Sequence, residues 1–408
     1  MQRIAREQLR APAKVIVLEP ARLGGSSDIV FSVQEYQSVW CLSLVDGTPT
    51  GISFWDVRGT SEVEGRALAE HGGEVLLLDG VSGPRCDSTG IPLSVAICTR
   101  ERPEELRRAL TSLRDQSDSE FEIIVIDNAP TSSYTAEVVE ELGLARCEYV
   151  VEPRKGLSRA RNTALAHVST DYVAWFDDDE VADVNWVRSI KEGFSHPSHP
   201  AAVCGVMLPA ELETEAQVLF EQYGGFNKGR GLFPEVLSID SSSAIEPLYP
   251  LPAIGSGGNM AFQTEALIAA GGFDPYLGAG TPTHGGEETR VFATLLRSHK
   301  VVLHWPRAFT WHFHRRDMLA LHKQFYGYSA GLSAFYASMI RSNPTVIFDI
   351  LRLTPHALRD MGIRKGGIRN DQLPVNFPKT LLREGRKGLL KGAFSYTYEA
   401  LRADSIPK

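Results

Sequence analysis

At 408 residues the chain can hold two or three domains, and its 43% hydrophobic and 23% charged residues are the balance of a water-soluble globular protein. A net charge of −8 argues against a general nucleic-acid-binding role. Five scattered cysteines (Cys41, Cys86, Cys98, Cys147, Cys204) include no Cys-x-x-Cys pair, which fits a reducing cytosol and disfavours a disulfide framework or a zinc site. Residues Met1 to Lys14 have no apolar signal-peptide core, and no window reaches the about 18 uninterrupted apolar residues of a membrane span. A cytoplasmic location follows as the expectation.

Residues 1–90 read as a small accessory module rich in strands, closed by a linker. Trp40 to Val45 and Gly51 to Trp55 are strand-like, with Asp46-Gly47 as a hairpin signal in a connection longer than two residues. A short helix is expected over Ser61 to Glu70, and the Gly-, Ser- and Pro-rich stretch from Gly80 to Gly90 reads as linker.

From residue 91 to 316 strands and helices alternate. Leu93 to Cys98 is a strand, and Pro103 opens a helix whose stripe is Leu106, Ala109, Leu110 and Leu113. Glu122 to Ile126 is the next strand, Gly156 to Val168 a helix and Tyr172 to Phe176 a strand. Such alternation implies a mostly parallel sheet with helices on both faces. Residues 317–408 form a helical, basic C-terminal region that begins with a helix over Asp317 to Met339. Residues 341–408 hold 13 Lys/Arg against 6 Asp/Glu, on an otherwise acidic chain.

Polar residues collect where strands end. Tyr172 to Phe176 runs directly into Asp177-Asp178-Asp179. Carboxylates cannot continue a buried strand, and in open α/β sheets ligands bind at the carboxyl ends of strands. Crowded carboxylates call for a hard cation, Mn²⁺ or Mg²⁺, able to hold a substrate phosphate as well. Thr99-Arg100-Glu101-Arg102 and Asp127-Asn128 end two other strands, and Asp127 can accept from a base or from ribose hydroxyls. The helix start at Gly156, with Arg159, Arg161 and Asn162, suits a diphosphate. Downstream, Gly257-Gly258-Asn259 and Gly285-Gly286 approach the paired carboxylates Glu287-Glu288, a plausible general base in a cleft. Acidic residues in a first helical turn are also favoured by the helix dipole alone. His312 and His314 alternate along an extended segment and so face one side. Imidazole ligates first-row metals, which makes His312 the stronger candidate and His284 a weaker one.

Seven of these pieces occur in the order of a known family: Val95 to Pro103, Val125 to Asn128, Gly156 to Asn162, Phe176 to Asp179, Gly258 to Ala261, Gly271-Gly272-Phe273-Asp274 and Gly286 to Thr289. Over residues 92–316 the chain resembles an inverting nucleotide-sugar glycosyltransferase of family 2, with the GT-A fold. The resemblance implies that Thr99, Arg100 and Asp127 contact the nucleoside, and that Arg161 and Asn162 support the nucleotide-sugar. It makes Asp177-Asp178-Asp179 the DxD element, with Asp177 nearer the ribose and Asp179 on the metal. The family usually has Glu-Asp where this chain has Glu287-Glu288, which puts Glu288 at the base position and leaves the choice between Glu288 and Glu287 open. Gly258 and Asn259 fall on the acceptor side.

The expected reaction is metal-dependent transfer from a UDP-, GDP- or dTDP-type sugar to a glycan, lipid-linked or small-molecule acceptor. A non-catalytic nucleotide-sugar-binding scaffold is the alternative. A sugar nucleotidyltransferase is disfavoured, because Thr99 to Pro103 stands where its Gly-rich phosphate loop belongs. The basic tail reads as a solvated helical cap, or as a peripheral contact with the inner face of the cell membrane through residues such as Leu389, Leu390, Phe394 and Tyr396; Gly385 and Gly388 speak against a long helix there.

Overall fold

The computed structural model describes residues 1–19, 29–71, 90–227, 230–240, 246–249, 254–360, 373–374 and 376–404. The linker expected over 80–90 falls outside these, except for Gly90.

The N-terminal module contains β1 (Gln2–Ile4), β2 (Ala13–Leu18), β3 (Val30–Ser32), β4 (Ser38–Val45), β5 (Thr48–Asp56), β6 (Glu62–Glu64) and α1 (Gly65–His71). Four strands pair in the order β1-β5-β4-β2, and β3 pairs with β6. The hairpin is tighter than expected. Only Asp46 and Gly47 separate β4 from β5, both at positive φ (48° and 73°), the geometry that matches the twist of paired strands.

The central segment continues with β7 (Leu93–Thr99), α2 (Pro103–Arg114), β8 (Glu122–Asn128), α3 (Tyr134–Leu142), β9 (Cys147–Glu152), α4 (Leu157–His167), β10 (Tyr172–Phe176), β11 (Glu180–Ala182), α5 (Trp186–Phe194), β12 (Ala202–Pro209), α6 (Glu215–Gln222), β13 (Glu235–Leu237), β14 (Asn259–Gln263), α7 (Thr264–Ala269), α8 (Glu287–Arg297) and β15 (Val302–His312). The expected α/β arrangement, a sheet with helices on both faces, is present. Among the described residues the sheet runs β11-β15-β12-β14-β10-β7-β8-β9, with β13 added on β15. It is parallel from β10 through β9. Beyond β10 it becomes mixed, because β14 inserts antiparallel between β10 and β12. Leu106, Leu110, Leu113, Trp186 and Ile190 cover one face of the sheet. Ala160, Ala164, Leu267, Val291, Phe292 and Leu296 cover the other, so every central strand is apolar on both sides.

The C-terminal region is α9 (Met318–Ser342), α10 (Val346–Asp360) and α11 (Lys379–Asp404). Apolar clusters cross both expected domain boundaries. Leu9, Trp40 and Leu42 pack with Val206, Leu208 and Phe309, behind the strands that end at the site. Ala216 and Phe220 pack with Leu321, Phe325 and Leu381.

The glycines of the tail do the opposite of what helix propensity suggests. They lie within one long helix, α11, and let it approach α9 closely. A Cβ at Gly388 would stand 2.2 Å from the Tyr326 carbonyl oxygen, and one at Gly392 only 1.9 Å from that of Ala330. Two of the residues expected at a membrane interface are not outward. Leu389 is half-buried, and Tyr396 is buried with its hydroxyl on Asp274 Oδ2 at 2.8 Å.

The α9–α11 contact makes a first prediction. Gly392→Ala adds helix propensity but overfills the contact, so it lowers stability by about 1–3 kcal/mol in denaturant unfolding. Unchanged or raised stability would show that the two helices are not pressed together at this point.

Candidate active site

The site begins where β10 stops. Val173 and Trp175 point into one core, Ala174 and Phe176 into the other, and Asp177 is the first side chain that neither core accepts. The chain turns through three carboxylates and returns as β11, whose Glu180 pairs with His312 of β15. The Phe313 amide donates to the Asp179 carbonyl at 3.1 Å, which stitches the acidic turn to the end of β15.

The carboxylates are held individually. The Thr99 hydroxyl donates to Asp178 Oδ2 at 2.7 Å. Arg102 donates to Asp178 Oδ1 at 2.5 Å and to Asp179 Oδ2 at 3.1 Å, and Arg315 lies 3.5 Å from the same Oδ2. His312 Nε2 is 3.4 Å from Asp179 Oδ1. Burial opposes a charge on Asp179, yet His312, Arg102 and Arg315 together hold its carboxyl well below the usual range. Behind His312, its Nδ1 meets His314 Nδ1 at 2.9 Å, and His314 Nε2 meets Glu221 Oε1 at 3.1 Å. The alternation of the two histidines therefore sets one in front and one in support.

Arg161 of α4 is 1% exposed and reaches across the site. Nη1 donates to Glu287 Oε1 at 3.0 Å, and Nη2 donates to the Gly257 carbonyl at 2.9 Å and to Asp177 Oδ1 at 3.5 Å. Glu287 opens α8 after Gly286, which sits at φ 92°. Burial, and then the neighbouring Glu288 carboxylate, push the Glu287 carboxyl up to about 7 against the pull of Arg161. Glu288 is partly exposed and makes no side-chain hydrogen bond among the described residues. Gly258 has room for no side chain, since a Cβ would stand 1.9 Å from Glu180 Oε1 and 2.9 Å from Asp177 Oδ2.

One cavity of about 600 Å³ joins these groups. Arg161, Asp177, Asp179, Gly258, Glu287, Glu288 and His312 all line it, and His284 lies at its wall. On its other side stand Lys323, Gln324, Gly327, Tyr328 and Leu332 of α9, with Tyr223 and Phe226.

Several expected site residues lie elsewhere. Asn128 accepts from the Gly156 amide at 2.9 Å and donates to the Arg154 carbonyl, also at 2.9 Å, so it shapes the turn into α4. Asn162 clasps the Phe273 backbone, donating to its carbonyl at 2.7 Å and accepting from its amide at 2.9 Å. Asn259 is fully buried, accepting from Trp186 and donating to the Val206 and Ala308 carbonyls, which leaves its amide nothing to offer an acceptor. Arg100 is exposed, and neither it nor the partly exposed Arg159 lines the cavity. Asp127 is buried at the neighbouring strand end; Tyr149 donates to its Oδ2 at 2.8 Å, and its Oδ1 has no hydrogen-bond partner among the described residues. Burial raises its carboxyl.

Sequence reasoning passed over Glu180, 1% exposed beside Asp177, with both carboxylate oxygens unpartnered among the described residues. It also passed over Arg102 and Arg315 as partners of the acidic turn. Their signal was present: one immediately precedes the Pro103 helix start, and the other follows the two histidines.

Residues 94–244 match the family model described as Glycosyl transferase family 2. Over that stretch the chain is similar to this family. A similar relative is a pre-mycofactocin glycosyltransferase of Mycobacterium tuberculosis, 29% identical over 266 residues, covering 62% of this chain and 51% of that one. The chain thus spans about half the length of that relative. The succinoglycan biosynthesis protein ExoM of Rhizobium meliloti is 32% identical over 121 residues, 28% of this chain and 38% of that one. Among solved structures, a mannosyltransferase of Pyrobaculum calidifontis in complex with GDP-Man and Mn²⁺ aligns at a TM-score of 0.46 and 18% identity, over 76% of this chain and 78% of that one.

Removing Arg161 leaves the buried Glu287 carboxylate and the partly exposed Asp177 carboxylate without their shared cation. Arg161→Met is expected to cost about 3–5 kcal/mol in denaturant unfolding. Adding Glu287→Gln should recover part of that loss, and strictly additive effects would show that the pair is not coupled. A second expectation concerns Glu152, which accepts from the Arg154 side chain and backbone and from Thr163 and so braces the turn into α4. The Arg154 contact, against burial, holds its carboxyl down at about 2. A depressed folded-state value contributes stability above the unfolded value of about 4.3 and loses it as pH falls toward about 2. Glu152→Gln should therefore unfold at a lower temperature than the parent at pH 7, with the gap closing in melts taken toward pH 2.

Proposed function

We propose that the protein transfers a sugar from a nucleoside-diphosphate sugar to an acceptor hydroxyl, with inversion at the anomeric carbon and assistance from a divalent cation. The observation that carries this reading is the single cavity shared by the Asp177, Asp179 and His312 wall and the Glu288 carboxylate.

The donor set suits a hard cation. Asp179 Oδ1 and His312 Nε2 face each other at 3.4 Å, and Asp177 lines the same wall. Among the described residues no cluster of three or more His, Cys, Asp or Glu side chains could by itself hold a metal ion. Mn²⁺ and Mg²⁺ commonly bind through one or two carboxylates and complete their shell with substrate phosphates. Bound there, the cation would neutralise charge developing on the diphosphate. The family resemblance points to a UDP-, GDP- or dTDP-type donor, with Asp127 toward its nucleoside; here that carboxyl is buried and does not line the cavity.

The chain's own groups divide the remaining work. Glu288, free of the Arg161 pairing that occupies Glu287, takes the acceptor proton as the hydroxyl oxygen attacks the anomeric carbon. The bond to the diphosphate oxygen breaks and its electron pair leaves with the diphosphate. Arg315, half-exposed and at the cavity wall, adds positive charge beside that leaving group. Attack on the face opposite the leaving group inverts the centre. Glu287 holds the base loop to Arg161 and is a positioning residue.

The test is Glu288→Gln against the unmodified protein, with turnover and donor binding measured together. The expected result is a fall in kcat of about 10²–10⁴-fold with donor affinity retained. Thermal unfolding with UDP, GDP and dTDP, each with and without Mn²⁺, should show a metal-dependent rise for one nucleotide. No shift with any of them, together with no turnover of the unmodified protein, would move the assignment to a non-catalytic role.

A further inference from the structure

The helix α11 has two unlike long faces. Its inner face, with Gly385, Gly388, Gly392, Tyr396 and Ala400, packs on α9 and the loop of Asp274. The opposite face carries large apolar side chains that nothing among the described residues covers. Leu390 is 81% exposed, Phe394 75%, Tyr398 57% and Leu401 62%. Their spacing of three to four residues aligns them in one stripe. Arg383, Arg386, Lys387 and Lys391, all exposed, precede and flank the stripe, and Arg402 stands at its far end. Glu384 is half-buried and already paired with Lys387 at 2.6 Å. A face that is basic toward one end and apolar along the rest, on a protein of net charge −8, is not a generic solvated surface.

A second copy of the chain is a poor occupant, because two such faces would bring like charges together. A bilayer surface with anionic headgroups matches both parts, with headgroups against the arginines and lysines and the acyl boundary against Leu390, Phe394, Tyr398 and Leu401. No described helix is long and apolar enough to cross a membrane, so the contact is one of a helix lying on the surface.

We infer that the outer face of α11 docks this protein on an anionic lipid bilayer. The cavity lies on the far side of α9, whose Lys323, Gln324, Gly327 and Tyr328 line it while Tyr326 and Ala330 receive α11. Docking therefore holds the cavity one helix layer from the lipid surface, within reach of an acceptor anchored there. That last consequence rests on the transferase reading; the docking itself does not.

The experiment is co-sedimentation of the full chain with vesicles of phosphatidylcholine alone or mixed with phosphatidylglycerol, at low and raised salt. Binding is expected only to the mixed vesicles and is weakened by salt. Lys387→Glu with Lys391→Glu should weaken it by about tenfold or more, and Leu390→Ser with Phe394→Ser should abolish it. All four residues are exposed, and circular dichroism and the nucleotide-dependent thermal shift check that the variants remain folded and loaded. No binding of the parent to mixed vesicles overturns the inference, as does binding that both variants retain. A concentration-dependent dimer in sedimentation velocity that the variants dissolve, without vesicle binding, also overturns it. Lost vesicle binding with the nucleotide shift intact leaves the transferase reading standing; a missing nucleotide shift with vesicle binding intact defeats only that reading.

Discussion

A guanidinium sealed among carboxylates organises this molecule. Arg161 is buried, and a buried charge is tolerable only where opposite charge and acceptors offset it. Its partners come from three separate stretches: Asp177 from the end of β10, the Gly257 carbonyl from the approach to β14 and Glu287 from the head of α8. None of these can shift far without stranding a charge. The acidic turn and the glutamate pair are thus fixed relative to each other by one side chain of a helix that itself touches neither strand end in sequence.

Around that node the remaining polar residues act mostly on the backbone. Asn128, Asn162 and Asn259 each satisfy carbonyl or amide groups that the sheet and helices leave unpaired, and Asp274 gathers Ser338 and Tyr396 onto the loop before α8. Motif residues that look like ligand contacts are here the fasteners of the loops that surround the cavity. Asp177, Asp179, Glu288 and His312 keep faces toward the cavity, because Arg102, Arg315 and Arg161 offset part of their charge without filling the space.

Much of the frame was legible because its signals are local. The passage from Phe176 to Asp177 marks a strand end through the cost of burying a carboxylate, and the His312 and His314 alternation marks a shared side through strand geometry. The insertion of β14 between β10 and β12 was not legible, since an apolar strand has the same pattern in either direction. The tail glycines misled for a related reason. Propensity reports what Gly385 and Gly388 cost an isolated helix, whereas the carbonyl of Tyr326 and the side chain of Ser329 decide what any larger residue would cost this one. Amide side chains were ambiguous in sequence because the same groups serve ligand and backbone equally well.

The glycines of α9 carry one more implication. Gly331 lies so close to Gly285 and Gly286 that a Cβ there would come within 2.6 Å of the Gly285 carbonyl carbon, and Gly388 and Gly392 press on the same helix from behind. Helix, loop and outer helix form a stack with no slack at any layer. Trimming the chain ahead of α11 would thus remove the backstop of the wall opposite the acidic turn, and any shortened version of this protein that is to preserve the cavity has to keep α11.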